Sequence, residues 1–302
     1  MTIDVEPDNV WAETHSCSMK NVEHLLAFHR LCQDYGVRPT YLVSWSVAAD
    51  DACATILDTL LSHGDCEVGI HPHLWETPPI IDMDLTERAT VGLDYPEDIL
   101  QEKISNLVGA IRARFGPPTS HRAGRWGIDH RQAIILTHLG ICVDSSVIPG
   151  IDWSSTGILD HTCAPLEPYF ISDKDMFEQG SAGLLEVPCT IKPGLELWGL
   201  GKNRHIAKLI NKMGCGSQWL RASPSSNVRK LIQTCQWAAQ YLGCLNLMSH
   251  SSEFMANGSP YWKTEADVEY HFSIYRKLFE WWQQHNIIPR TLSEFSAAQS
   301  LR

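Results

Sequence analysis

The chain has 302 residues, 44% of them hydrophobic and 20% charged, with a formal net charge of −11 at pH 7. That composition is ordinary for a folded globular protein and excludes a disordered chain, while the negative charge opposes non-specific binding to nucleic acid or anionic lipid. No run reaches the roughly 18 apolar residues of a membrane span, and acids occupy the first residues, where a secretory signal needs a basic start. A cytoplasmic protein with no transmembrane segment and no nucleic-acid partner is therefore expected.

In chain order, short apolar runs alternate with longer amphipathic segments, the pattern of βα units. Thr2 to Val5 reads as a very short strand. Asn21 to Tyr35 carries Leu25, Leu26, Phe28 and Leu31 at helical spacing and ends at Gly36. Pro39 to Trp45 reads as strand, Ala48 to His63 as helix, and Glu67 to His71 as strand. Trp75 to Tyr95, with Pro78 and Pro79, is long enough to suggest a functional loop. Pro96 then opens a helix to Phe115, with the proline expected in its first turn. Further strands are expected at Ser120 to Ala123, Ile141 to Ser145, Leu184 to Thr190 and Cys244 to Ser249. Further helices are expected at Asp129 to Leu139, Ile206 to Lys212, Asn227 to Leu242 and Ala266 to His285. Six or seven such units without a break in composition predict one barrel-like α/β domain over 1–302. The ten cysteines contain no C-x-x-C pair, which disfavours a zinc ribbon or a redox motif and leaves reduced thiols packed as small hydrophobes.

Several of these strands end in chemistry. Val68-Gly-Ile-His71-Pro-His73 closes an apolar run with two histidines two residues apart, and the strand period of two turns both imidazoles the same way. Thr2-Ile-Asp4-Val-Glu6-Pro-Asp8 does the same for carboxylates. One carboxylate with two neutral imidazoles is the ligand set of an open catalytic zinc site, and Glu6 completes His71 and His73. Asp8 is a rival for that third place. In Ser120-His-Arg122-Ala-Gly124-Arg-Trp126-Gly the arginine offers a fork of donors that would hold an acid ionised, and the glycines suggest a tight path beside a cleft. Asp144-Ser-Ser, which also suits a simple turn start, and Leu247-Met-Ser-His250 supply two further strand ends. In βα barrels the C-terminal strand ends are where active sites assemble.

The ordered set T-x-D-V-E, H-P-H, R-A-G-R-W, D-S-S and L-x-x-H resembles the polysaccharide deacetylase superfamily (NodB homology, carbohydrate esterase 4). The likeness is greatest to its divergent WalW and WbmS-like branch, which is found with bacterial surface-polysaccharide genes. The motifs span Thr2 to Glu253. The resemblance implies a distorted (β/α)7 barrel, a divalent metal with zinc first among candidates, and removal of an acetyl group from an N-acetylated sugar or glycan. By the same resemblance Asp4 is the catalytic base, Glu6, His71 and His73 bind the metal, Arg122 orients the base, and His250 is the general acid. Trp126, Asp144, Trp153 and Leu247 are candidates for substrate contact. The chain departs from the usual pattern: its first acids are two apart instead of adjacent, its second motif is H-x-H instead of H-x-x-x-H, and Gly124 replaces a proline. Met1 directly precedes the first motif, which reads as a start placed several residues late. Two rival readings are another carbon–nitrogen amide hydrolase of the superfamily, acting on a ureide or formamide, and a non-catalytic glycan-binding protein.

Overall fold

β-Branched and aromatic residues around Ile3, Tyr41, Val43 and Ile70, all buried, form the centre of the sheet. In the computed structural model, residues 1–10, 17–81, 92–172, 174–181, 183–195 and 216–299 are described. The strands are β1 (Thr2–Val5), β2 (Thr40–Val43), β3 (Glu67–Ile70), β4 (Ser120–His121), β5 (Val143–Asp144), β6 (Tyr169–Phe170), β7 (Leu185–Glu186), β8 (Ile191–Lys192), β9 (Gln218–Trp219) and β10 (Met248–His250). The helices are α1 (Leu25–Asp34), α2 (Trp45–Ala49), α3 (Asp51–Leu61), α4 (Glu97–Phe115), α5 (His130–His138), α6 (Val228–Tyr241), α7 (Glu265–Gln284) and α8 (Leu292–Gln299).

Eight strands make one curled sheet in the order β10-β1-β2-β3-β4-β5-β7-β6. From β10 to β7 every pairing is parallel, and only β6 runs antiparallel, on the edge of β7. Curling brings the segment after β7 back towards β10: Thr190 N–H donates to the Asn246 carbonyl (3.1 Å), Leu220 N–H donates to the Thr190 carbonyl (2.8 Å), and Arg221 bridges Met248. β8 and β9 form a separate antiparallel ribbon.

Parallel register sorts the side chains onto two faces. Asp4 lies beside Leu42, and Leu42, Val143 and Leu185 pack with Leu292 of α8 on the inner face. The neighbouring row, Val5, Val43, Ile70, His121, Asp144 and Glu186, lies on the other face. There Val5, Val43 and Ile70 join the main core with Leu25, Phe28, Leu57, Leu107 and Tyr275 from the helices.

The predicted helix over 48–63 is two helices, because Asp50 adopts an extended backbone and its carboxylate caps α3 by accepting from Cys53 N–H (2.8 Å). Pro96 is the N-cap of α4 and not its first turn. The predicted strands after β3 are two or three residues long, shorter than the apolar runs implied. β6, the β8–β9 ribbon and α8 carried no periodic signal long enough to be read. The predicted helix at 206–212 lies outside the described residues. The described parts of the 75–95 loop hold no helix or strand, and the buried Lys103 amine of α4 pins them by donating to the carbonyls of Leu74 (2.9 Å), Thr77 (2.7 Å) and Pro79 (2.6 Å). Among the described residues no helix is long and apolar enough to cross a membrane.

Candidate metal and acid–base site

The C-terminal ends of β1, β3, β4 and β10 deliver Asp4, Glu6, His71, His73, Arg122 and His250 to one place, since neighbouring parallel strands end together. All six are buried, with Arg122 fully enclosed and His250 the most accessible at 9%.

Glu6, His71 and His73 each offer a ligand atom within 4.8 Å of the others. Glu6 Oε2 lies 2.7 Å from His73 Nε2 and 3.5 Å from His71 Nε2. His71 Nδ1 is 2.9 Å from the carbonyl oxygen of Arg122, which accepts from Nδ1–H and leaves Nε2 a lone pair facing Glu6. Neither ring nitrogen of buried His73 makes a hydrogen bond, although Nε2 is so close to Glu6. Two imidazole lone pairs and a carboxylate, enclosed and short of hydrogen bonds, fit a divalent metal.

Glu6, rather than Asp8, is the acid that meets the histidines. Asp8 turns to Ser18, accepting from its N–H (2.7 Å) and its hydroxyl (2.6 Å). Glu6 is fixed through its backbone: Asn21 Nδ2 and the Ser251 hydroxyl donate to its carbonyl (2.8 and 3.3 Å), and its N–H donates to Ser251 Oγ (3.3 Å). Burial alone would raise the Glu6 carboxyl, but the close approach of the His71 and His73 rings outweighs it and holds the group well below the carboxylate range.

Asp4 stands beside this cluster. Arg122 Nη1 donates to Asp4 Oδ1 (2.7 Å), and the remaining donors of the guanidinium go to the Ser145 carbonyl (2.7 Å), Thr2 Oγ1 (2.7 Å) and Ser145 Oγ (2.8 Å). Burial raises the Asp4 carboxyl, and Arg122, His71 and His250 more than offset it, so its pKa is lowered and the group is ionised. Its other oxygen, Oδ2, lies 3.9 Å from His71 Nε2 and 3.7 Å from His250 Nε2.

His250 is held from behind by two residues that sequence reasoning did not assign. Glu253 accepts from His250 N–H (3.0 Å) and from Ser249 Oγ (2.7 Å), and Arg221 Nη2 donates to Glu253 Oε1 (2.9 Å). The same Arg221 nitrogen lies 3.3 Å from His250 Nδ1. A guanidinium only donates, so Nδ1 accepts and the ring proton sits on Nε2, facing Asp4 and Glu6. Glu253 lies three residues after the last motif's histidine and could have been suspected. Arg221, Asn21 and Lys103 belong to no pattern in the chain.

Gly124 earns its place by contact. A Cβ there would stand 2.7 Å from the Pro72 carbonyl oxygen and 3.3 Å from His73 Cα, so only glycine lets this loop cross the histidine segment. The next two residues, Arg125 and Trp126, both have left-handed backbones (φ 54° and 63°), local strain of the kind that clusters at functional sites.

The candidate substrate contacts divide. Trp126 and Trp153 are half-buried: Trp126 lies over the Arg122 guanidinium (5.1 Å) and edge-on to Trp219 (5.7 Å), and Trp153 packs with them against Ile148 and Met248. Trp219 joins this aromatic wall unannounced. Asp144 and Leu247 lie apart from this wall. Asp144 lies on the sheet face opposite Asp4, 1% exposed, and accepts from the Ser146 hydroxyl (2.6 Å) with His121 Nδ1 at 2.7 Å. Leu247 is fully enclosed in the core and presents no surface to a ligand.

No protein-family model matches this sequence. No curated protein matches it either. Solved structures do resemble it in shape. A candidate glycoside hydrolase/deacetylase from Parabacteroides distasonis is 12% identical, with 98% of this chain and 69% of that chain covered and a TM-score of 0.58. A 4-alpha-glucanotransferase from Thermococcus litoralis is 14% identical, with 98% of this chain and 39% of that chain covered and a TM-score of 0.54. A candidate polysaccharide deacetylase from Mycobacterium smegmatis is 15% identical over 96% of this chain and 91% of that one, with a TM-score of 0.49. The first two share the fold of this chain.

Proposed function

We propose that this chain is a metal-dependent N-deacetylase of the polysaccharide deacetylase type, removing an acetyl group from an N-acetylated sugar during bacterial surface-polysaccharide synthesis, whether O-antigen, capsule or exopolysaccharide. The observation that carries this reading is the juxtaposition of Glu6, His71 and His73 with an Asp4 carboxylate gripped by Arg122. We read the curled sheet as the distorted (β/α)7 barrel, and 1–302 as one catalytic domain.

Glu6, His71 and His73 would hold the divalent metal, zinc by its donor set, which when bound makes water acidic and polarises an amide carbonyl. Asp4, ionised beside Arg122, accepts the proton of the attacking water. His250 donates from Nε2 to the departing nitrogen, since an amide leaves poorly without a proton, and recovers a proton from Asp4 Oδ2, 3.7 Å away, so that the proton taken from the water ends on the amine. Arg221 and Glu253 keep that tautomer in place. Trp126, Trp153 and Trp219 offer apolar faces on which a sugar ring can stack.

The test is acetate release from N-acetylhexosamine oligomers and from a nucleotide-linked N-acetylhexosamine, with zinc-loaded protein. Acetate and free amine in equal amounts, abolished in Asp4→Asn, are expected. Turnover of formamide or ureide substrates alone would favour the other amide hydrolase, and saccharide binding without any turnover would overturn catalysis.

A further inference from the structure

At the other end of β3, about 16 Å from the histidine pair by the rise of a five-residue strand segment, a second group of metal-ligating atoms converges. His29 of α1 is 1% exposed, and Asp65 and Cys66 immediately precede β3. One ligand atom of each lies within 4.8 Å of the others. His29 Nε2 approaches Asp65 Oδ1 to 3.0 Å, yet both atoms are buried and neither has a hydrogen bond. Two donors about 2.1 Å from a tetrahedral ion stand about 3.4 Å apart, close to this separation.

The surroundings orient the donors. His29 Nδ1 lies 3.0 Å from the Tyr41 hydroxyl, and Gln33 Nε2 donates to Asp65 Oδ2 (3.0 Å), which turns Oδ1 towards His29. With Nδ1–H donating to the tyrosine oxygen, Nε2 presents a lone pair to a carboxylate lone pair, an arrangement that a cation between them would satisfy. The exposed His63 ring stacks on His29 at 5.5 Å and holds the imidazole in place.

We propose that His29, Asp65 and Cys66 form a second, thiolate-containing metal site for a thiophilic divalent ion such as zinc, fastening α1 to the start of β3. It goes beyond the deacetylase reading and does not depend on it. Loading releases the Cys66 thiol proton to solvent as the sulfur–metal bond forms.

Cobalt discriminates the two sites, because only this one contains sulfur. The metal-free full chain is titrated with Co2+ while bound cobalt and the near-ultraviolet thiolate-to-cobalt absorption are followed. Two equivalents are expected, with the absorption lost in Cys66→Ser and kept in His71→Ala, each variant binding one equivalent fewer. The equivalent retained by Cys66→Ser also reports that this variant is folded, and His29→Gln provides a second variant that leaves the thiol in place. Absence of the absorption, or its survival in Cys66→Ser, would overturn the proposal whatever the histidine pair binds.

Discussion

The carbonyl oxygen of Arg122 lies 2.9 Å from His71 Nδ1, while the guanidinium of the same residue grips Asp4 at 2.7 Å. One residue thus sets the tautomer of a proposed ligand with its backbone and the charge of a proposed base with its side chain. The two roles respond differently to substitution.

Arg122→Met should leave the backbone contact to His71 but strand a buried carboxylate. Removing one member of a buried ion pair costs about 3–5 kcal/mol, and urea denaturation should register a loss of that size. The double variant with Asp4→Asn should recover part of it. Recovery of none would mean that Arg122 acts through its bonds to Ser145 and Thr2 instead.

Glu6 and Asp8 are separated by their partners. Glu6→Gln should abolish binding of one zinc equivalent, measured by competition with a chromophoric chelator, whereas Asp8→Asn should change zinc affinity by less than about threefold, since Asp8 is taken up by Ser18. The opposite ranking would transfer the third ligand to Asp8.

Gly124→Ala places a methyl group 2.7 Å from the Pro72 carbonyl oxygen, an atom that cannot step aside without moving His73. Overpacking of this kind costs about 1–3 kcal/mol, and displaced support of a ligand typically weakens metal binding about 10–100-fold. Chelator competition and thermal unfolding on the same sample would measure both.

Stability should fall between pH 7 and pH 5. Burial pushes the His271 imidazole down to about 4 from 6.5, and does the same to His161. Each binds its proton only on unfolding, so its contribution is complete above pH 6.5 and is lost as pH falls towards 4. For His271 this amounts to about 2 kcal/mol between pH 7 and pH 5. In His271→Gln the pH-dependent loss, read from urea midpoints at the two pH values, should shrink by that amount.

Much of this site was legible because a strand repeats every two residues. That rule alone put Asp4 with Glu6 and His71 with His73, and these residues lie together at the ends of β1 and β3, on either side of β2. The same rule cannot say how separate strands are registered. Asp144 therefore read as a candidate for substrate contact, although β5 turns it to the face opposite Asp4, against His121. Arg221, far from any motif, reaches His250 only because the chain after β7 folds back beside β10.

By itself the sequence determined the alternation of strands and helices and the two pairs of like residues at strand ends, because both follow from local periodicity. That Glu6 and not Asp8 faces the histidines, which ring nitrogens of His71 and His250 are taken up, and the need for glycine at 124 were decided only in the tertiary structure. Each depends on a partner distant in sequence or on another loop, Ser251, Arg122, Arg221 or Pro72, whose approach no local pattern encodes.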